Sequence, residues 1–175
     1  RLVSRGLGDV YKRQLGFPVD QNEIAWGVPD AVLMPDGLVR VYWVYTEDKT
    51  SDEKLVSATS KTTKGVEFVM DPGYRLENGY VDFEVIRAVE GDWKALMSYT
   101  PHYMPEIPQS LFYATSKDGL NWDLIEERIT PKGYSYFDPT AIQIDDKNFL
   151  VVGSAAPNTL GAREHILFAA ELVLP

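Results

Sequence analysis

The chain has 175 residues, 45% of them hydrophobic and 12% aromatic, so it carries enough apolar side chain for a substantial core. Its formal net charge of −9, from 17 Lys and Arg against 26 Asp and Glu, repels phosphate backbones and anionic lipid, which argues against nucleic acid and membrane as partners. The absence of cysteine rules out a disulfide framework, a thiolate metal site and a cysteine nucleophile, and leaves the compartment undecided, secreted and periplasmic locations included.

Residues 1–14 (RLVSRGLGDVYKRQ) stand apart. They hold Arg1, Arg5, Lys12 and Arg13 against Asp9 alone, in a chain that is otherwise acidic, and they show no clean period. They resemble the translated sequencing-adapter remnant found at the ends of metagenomic reading frames, and are set aside as a non-native segment. The folded domain is expected over 15–175.

From Trp26 onward the chain repeats itself. GLVRVYWVY at 37–45 has its counterpart in GDWKALMSY at 91–99, 54 residues on. LVSATSKTTKGVEF at 55–68 matches LFYATSKDGLNW at 111–122. A third copy opens with FDPTAIQIDDKNFLVV at 137–152 and continues with HILFAAELV at 165–173. The repeats run over about 26–76, 80–131 and 136–175.

Each copy follows one plan. A short apolar strand comes first (Ala31–Met34, Glu84–Val89, Thr140–Ile144), then an Asp- or Gly-containing turn, then a longer strand (Val39–Thr46, Trp93–Thr100, Phe149–Ala155). A variable polar loop, a third strand, a tight turn and a fourth strand complete the first two copies; the third stops before its fourth strand. Glu164–Leu172 has local helix propensity, but it aligns with the third strand of the earlier copies. Four short strands per repeat predict an all-β fold: a partial β-propeller, with about two and a half to three four-stranded blades of a five-bladed propeller. A β-sandwich also has many short strands, but it does not require a repeat.

Ser116-Lys117-Asp118-Gly119-Leu120-Asn121-Trp122 resembles the Asp-box-like hairpin of sialidase-like propellers. Asp118 is suited to accept N–H bonds within the turn, Gly119 to supply a positive φ, and Trp122 to bury against a neighbouring strand. The motif reads as scaffold on the outside of a blade.

The first strand of each propeller blade lines the central axis. Alignment on Gly37 and Gly91 puts Asp30, Glu84 and Thr140 in one column, and Val28, Asp82 and Asp138 two residues earlier, on the same strand face. The local strings Val28-Pro29-Asp30, Val81 to Val85 and Phe137 to Thr140 resemble the arabinanase, levansucrase and invertase clan of five-bladed propellers. That resemblance implies a glycoside hydrolase with paired carboxylates, Glu84 as acid, Asp30 or Asp138 as base, Asp82 in substrate contact, and an oligo- or polysaccharide substrate. The plainer reading of the same carboxylates is turn capping or pairing between blades, which leaves a non-catalytic glycan-binding or interaction propeller as the alternative.

Trp26, Tyr80 and Tyr136 are expected just before the inner strands, as sugar-stacking faces or as blade-to-blade packing. His102, in the loop at 100–105, is expected to border the pocket, whereas His165 begins a strand and reads as structural. Two isolated histidines give no zinc spacing. Neither a phosphate-cradling glycine loop nor a serine nucleophile elbow is present, so neither metal nor cofactor is expected.

Overall fold

The computed structural model of the protein describes residues 24–46, 52–99, 108–158 and 164–175. They form three antiparallel meanders. The first sheet holds β1 (Ile24–Leu33), β2 (Val39–Thr46), β3 (Lys54–Ser60) and β4 (Phe68–Met70) in that order. The second holds β5 (Tyr80–Val89), β6 (Asp92–Tyr99), β7 (Ser110–Ser116) and β8 (Trp122–Ile125). The third holds β9 (Tyr134–Gln143), β10 (Asn148–Pro157) and β11 (Ile166–Val173). These are successive blades of an all-β propeller. The described residues contain no helix.

The segment with helix propensity is β11. It pairs with β10 without a slip from Asn148 opposite Val173 to Ala155 opposite Ile166. Cross-strand pairing overrides its Ala-, Leu- and Glu-rich composition.

The blades pack face to face. Trp93, Ala95 and Met97 of β6 join Val32, Met34, Tyr42 and Leu55 of the first blade in one apolar cluster. Leu96 of the same strand turns the other way and joins Phe149 and Val151 of the third blade. This explains why Trp93–Ser98 is buried without alternation: β6 has a blade on each face. Each large side chain buried in these seams stabilises the fold by about 1.5–3 kcal/mol.

The inner strands begin earlier than expected, at Ile24, Tyr80 and Tyr134, so Trp26, Tyr80 and Tyr136 lie within strands. Each inner strand also carries a bulge near its start. Pairing slips between Gly27 and Asp30 in β1, between Val81 and Glu84 in β5, and opposite Phe137 to Thr140 in β9. At each slip a non-glycine residue takes a positive φ: Val28 at 49°, Asp82 at 51° and Asp138 at 47°. Such residues cost about 1–3 kcal/mol each, most of all a β-branched one such as Val28. The strain recurs at matching places in three blades, so the bulge belongs to the design of the inner strand.

The Ser116–Trp122 turn joins β7 to β8, the two strands of its blade farthest from the inner strand β5. It docks on the first blade. Arg40 Nη1 donates to Asp118 O at 2.7 Å, Tyr42 Oη to Gly119 O at 2.8 Å and Arg75 Nη1 to Leu120 O at 2.9 Å. Gly119 is buried with φ +70°, and a β-carbon there would lie 2.7 Å from Tyr42 Oη. Trp122 packs edge-on to Phe83 with 5.2 Å between ring centroids. The turn is a clasp between two blades.

Candidate functional site

The bulges put four carboxylates along the seams between inner strands. Asp30 reaches forward from β1, and its Oδ2 accepts the Val85 amide of β5 at 2.8 Å. Glu84 of β5 accepts the Thr140 hydroxyl of β9 at 2.9 Å through Oε1. Asp82 Oδ2 accepts the Ser98 hydroxyl of β6 at 2.5 Å and the Asp138 amide of β9 at 3.3 Å. Asp82 and Glu84 therefore both reach the third blade.

Electrostatics set these groups apart. Burial raises the Asp30 carboxyl above its ordinary range, against the pull of the Val85 and Ala31 amides. Burial also raises Glu84; the nearby Asp30 charge adds to it and the Thr140 bond opposes it. Asp82 is raised by burial too, with the Ser98 and Asp138 bonds opposing and the Asp138 charge adding. Among the described residues no Lys or Arg forms an ion pair with any of the four. Arg87, three residues past Glu84, is engaged elsewhere: its Nε bonds Asp92 at 2.6 Å, as Lys94 Nζ does at 2.7 Å. Burial, and the Asp30 charge with no cation to offset it, favour the protonated form of Glu84. Such an arrangement can donate a proton at a pH where an ordinary carboxyl cannot. Among the described residues no His, Asp and Glu cluster is arranged to hold a metal.

The other expected site residues fare differently. Tyr136 is 8% exposed, packed edge-on to Phe168 at 5.4 Å and joined to Leu111 and Ala155, so its ring fills the seam between blades and offers no face to a sugar. Tyr80 stacks on Tyr99 with centroids 4.6 Å apart. Trp26 lies in β1, and its side chain falls outside the described residues, as does His102. His165 stacks on Phe137 at 5.3 Å.

Two polar residues at the site were not singled out in the sequence. Ser98 is fully buried beneath Asp82, and Gln109 donates to it through Nε2 at 3.1 Å. The signal for Ser98 was present: a hydroxyl inside the apolar run Ala95-Leu96-Met97.

Solved structures share this architecture. A thermostable family-43 glycoside hydrolase superposes with a TM-score of 0.65 over 91% of this chain and 57% of its own, at 13% identity. The fold is that of the propeller glycoside hydrolases. A protein of this fold from Bacteroides thetaiotaomicron, assigned as a glycosidase, gives a TM-score of 0.60 at 17% identity, over 87% of this chain and 52% of its own. An N-acetylgalactosamine deacetylase from F. plautii, in complex with blood group B trisaccharide, gives 0.53 at 15% identity over 82% and 48%. The chain spans about half the length of these structures. No protein-family model and no curated protein matches it. The propeller glycoside hydrolase fold thus carries more than one chemistry, and the reaction has to be argued from the site.

Proposed function

We propose that the protein acts on glycosidic bonds of an oligo- or polysaccharide, with Glu84 as general acid and Asp30 or Asp138 as the partner carboxylate. The observation that carries this reading is the Asp30–Glu84 pair. The Asp30 charge, on the adjacent inner strand, helps to raise the Glu84 carboxyl, and among the described residues no cation pairs with either. Glycoside hydrolysis needs one carboxyl protonated, to donate to the leaving oxygen, while a second is ionised to activate water or attack. Burial first, and the Asp30 charge second, favour the protonated form of Glu84. Its Oε1 is held by Thr140, and among the described residues nothing bonds Oε2. That leaves one oxygen to meet a glycosidic oxygen.

The test is hydrolysis of a panel of p-nitrophenyl glycosides and plant and host polysaccharides, by the wild type and by Glu84→Gln. General acid catalysis contributes roughly 10²–10⁴-fold, and the amide variant, which has no acidic proton to give, would forfeit it. The alkaline limb of the pH profile should lie above the ordinary glutamate value of about 4.3. Equal activity of the two proteins would sink the assignment.

A specific observation favours a second reading. Asp30, Asp82 and Glu84 each bond the next blade. Carboxylates used as stitches suit a glycan-binding propeller without turnover. Calorimetric binding of an oligosaccharide that is never cleaved would select it.

A further inference from the structure

We infer that Asp82 is a positioning residue, which does not meet the sugar but holds the Asp138 bulge, and with it the Asp138 carboxylate, in place. This assigns Asp82 a role other than the substrate contact first expected of it, and it rests on the glycosidase reading only for its consequence in catalysis.

One chain of hydrogen bonds runs from Gln109 through Ser98 and Asp82 to Asp138. Gln109 Nε2 can only donate, and it donates to Ser98 Oγ at 3.1 Å. An ionised carboxylate can only accept, so the single Ser98 proton points at Asp82 Oδ2, 2.5 Å away. Ser98 is fully buried on β6, the strand covered on both faces, so the anchor is rigid. The same Asp82 oxygen accepts the Asp138 amide at 3.3 Å. Asp138 has a φ of +47°, the left-handed region that Asp tolerates better than most L residues but that still costs energy an outside bond can offset.

Gln109 also grips the start of β9 directly, at two places. Its carbonyl accepts the Tyr136 amide at 3.0 Å, and its amide donates to Ser135 Oγ at 3.2 Å. The start of β9 is thus held at Ser135 and Tyr136 by Gln109 and at Asp138 by Asp82, and Ser98 joins the two holders. The preceding seam has no counterpart, because Val28 stands where Asp82 stands and its side chain has no acceptor. Asp138 is exposed, so it is the carboxylate of the pair that solvent reaches, while Asp82 lies behind it.

The experiment has two readouts. Amide hydrogen exchange at Asp138, followed by NMR in the whole chain, tests the clamp without any substrate. Asp82→Ala should raise exchange at Asp138 at least tenfold, with the melting transition still cooperative. Asp82→Asn keeps an acceptor oxygen and should restore most of the protection. Unchanged exchange in Asp82→Ala overturns the inference. The p-nitrophenyl glycoside that the wild type cleaves best supplies the second readout. Asp82→Ala should lower kcat about tenfold or more with KM within twofold, and Asp82→Asn, which keeps the acceptor, should recover most of that loss. A raised KM at constant kcat would make Asp82 a substrate contact and overturn the inference. If the wild type cleaves nothing, the glycosidase reading falls, while the exchange result still decides the clamp.

Discussion

Asp118 and Glu84 are both carboxylates near seams between blades, and their surroundings push them in opposite directions. Burial works against Asp118, but the amides of Asn121 and Leu120, the Asn121 side chain and the Ser116 hydroxyl outweigh it and bring its pKa down to about 2. Glu84 has burial, the Asp30 charge and only one donor, so it rises. The first group is satisfied by its own turn and serves the scaffold. The second is left short of donors, which destabilises the fold at neutral pH and is the condition that the proposed acid role requires. Residue type does not separate these two carboxylates; the count of donors aimed at each oxygen does.

The largest effect should come from Glu84→Gln. Activity should fall by roughly 10²–10⁴-fold. Folding should be unharmed or improved at pH 7, because a raised acid favours the fold below its unfolded pKa and that contribution is lost as pH rises through the folded value. A matched loss of melting temperature would make Glu84 scaffold and erase the contrast.

Gly119→Ala should behave in the opposite way. The positive φ alone costs about 1–3 kcal/mol, and the added methyl would meet Tyr42 Oη and Trp93 at 2.7 and 2.8 Å. Denaturant titration should show the loss, and activity per folded molecule should be kept. Asp118→Ala should cost about 1–2 kcal/mol at pH 7. Here the pKa is depressed, so the contribution is present above the unfolded value of 3.8 and lost as pH falls towards 2. Acid titrations of wild type and variant should therefore converge.

Tyr42→Phe should be the mildest, about 0.5–1.5 kcal/mol, from one lost bond to Gly119 O that Trp122 Nε1 still shares. Burial pushes the Tyr42 phenol up to about 12, opposed by Arg40. The wild type should thus lose stability as pH rises from 10 to 12, and Tyr42→Phe should lose less.

The fold was readable because a repeat shows itself twice: the Ala-Thr-Ser-Lys strings at 58–61 and 114–117 fix register as well as period. The acidic columns were readable for the same reason. The bulges were not. A positive φ is expected of glycine, and none stands at 28, 82 or 138; Asp tolerates it in two copies, but Val28 conceals the pattern in the first. Tyr136 was ambiguous because a ring that stacks on sugar and a ring that fills a seam have the same composition. Only its burial against Phe168 and Leu111 tells them apart.

The double-sided burial of β6 has a consequence for how damage spreads. Where each blade leans on its neighbours, stability is a sum of nearest-neighbour terms along the repeat. A defect in β6 loosens two seams at once, because Met97 and Leu96 serve different partners. A defect in β11, whose Leu167 is 84% exposed, touches one seam at most. The middle blade is the keystone of the three, and the place where a single substitution should turn a graded weakening into cooperative collapse.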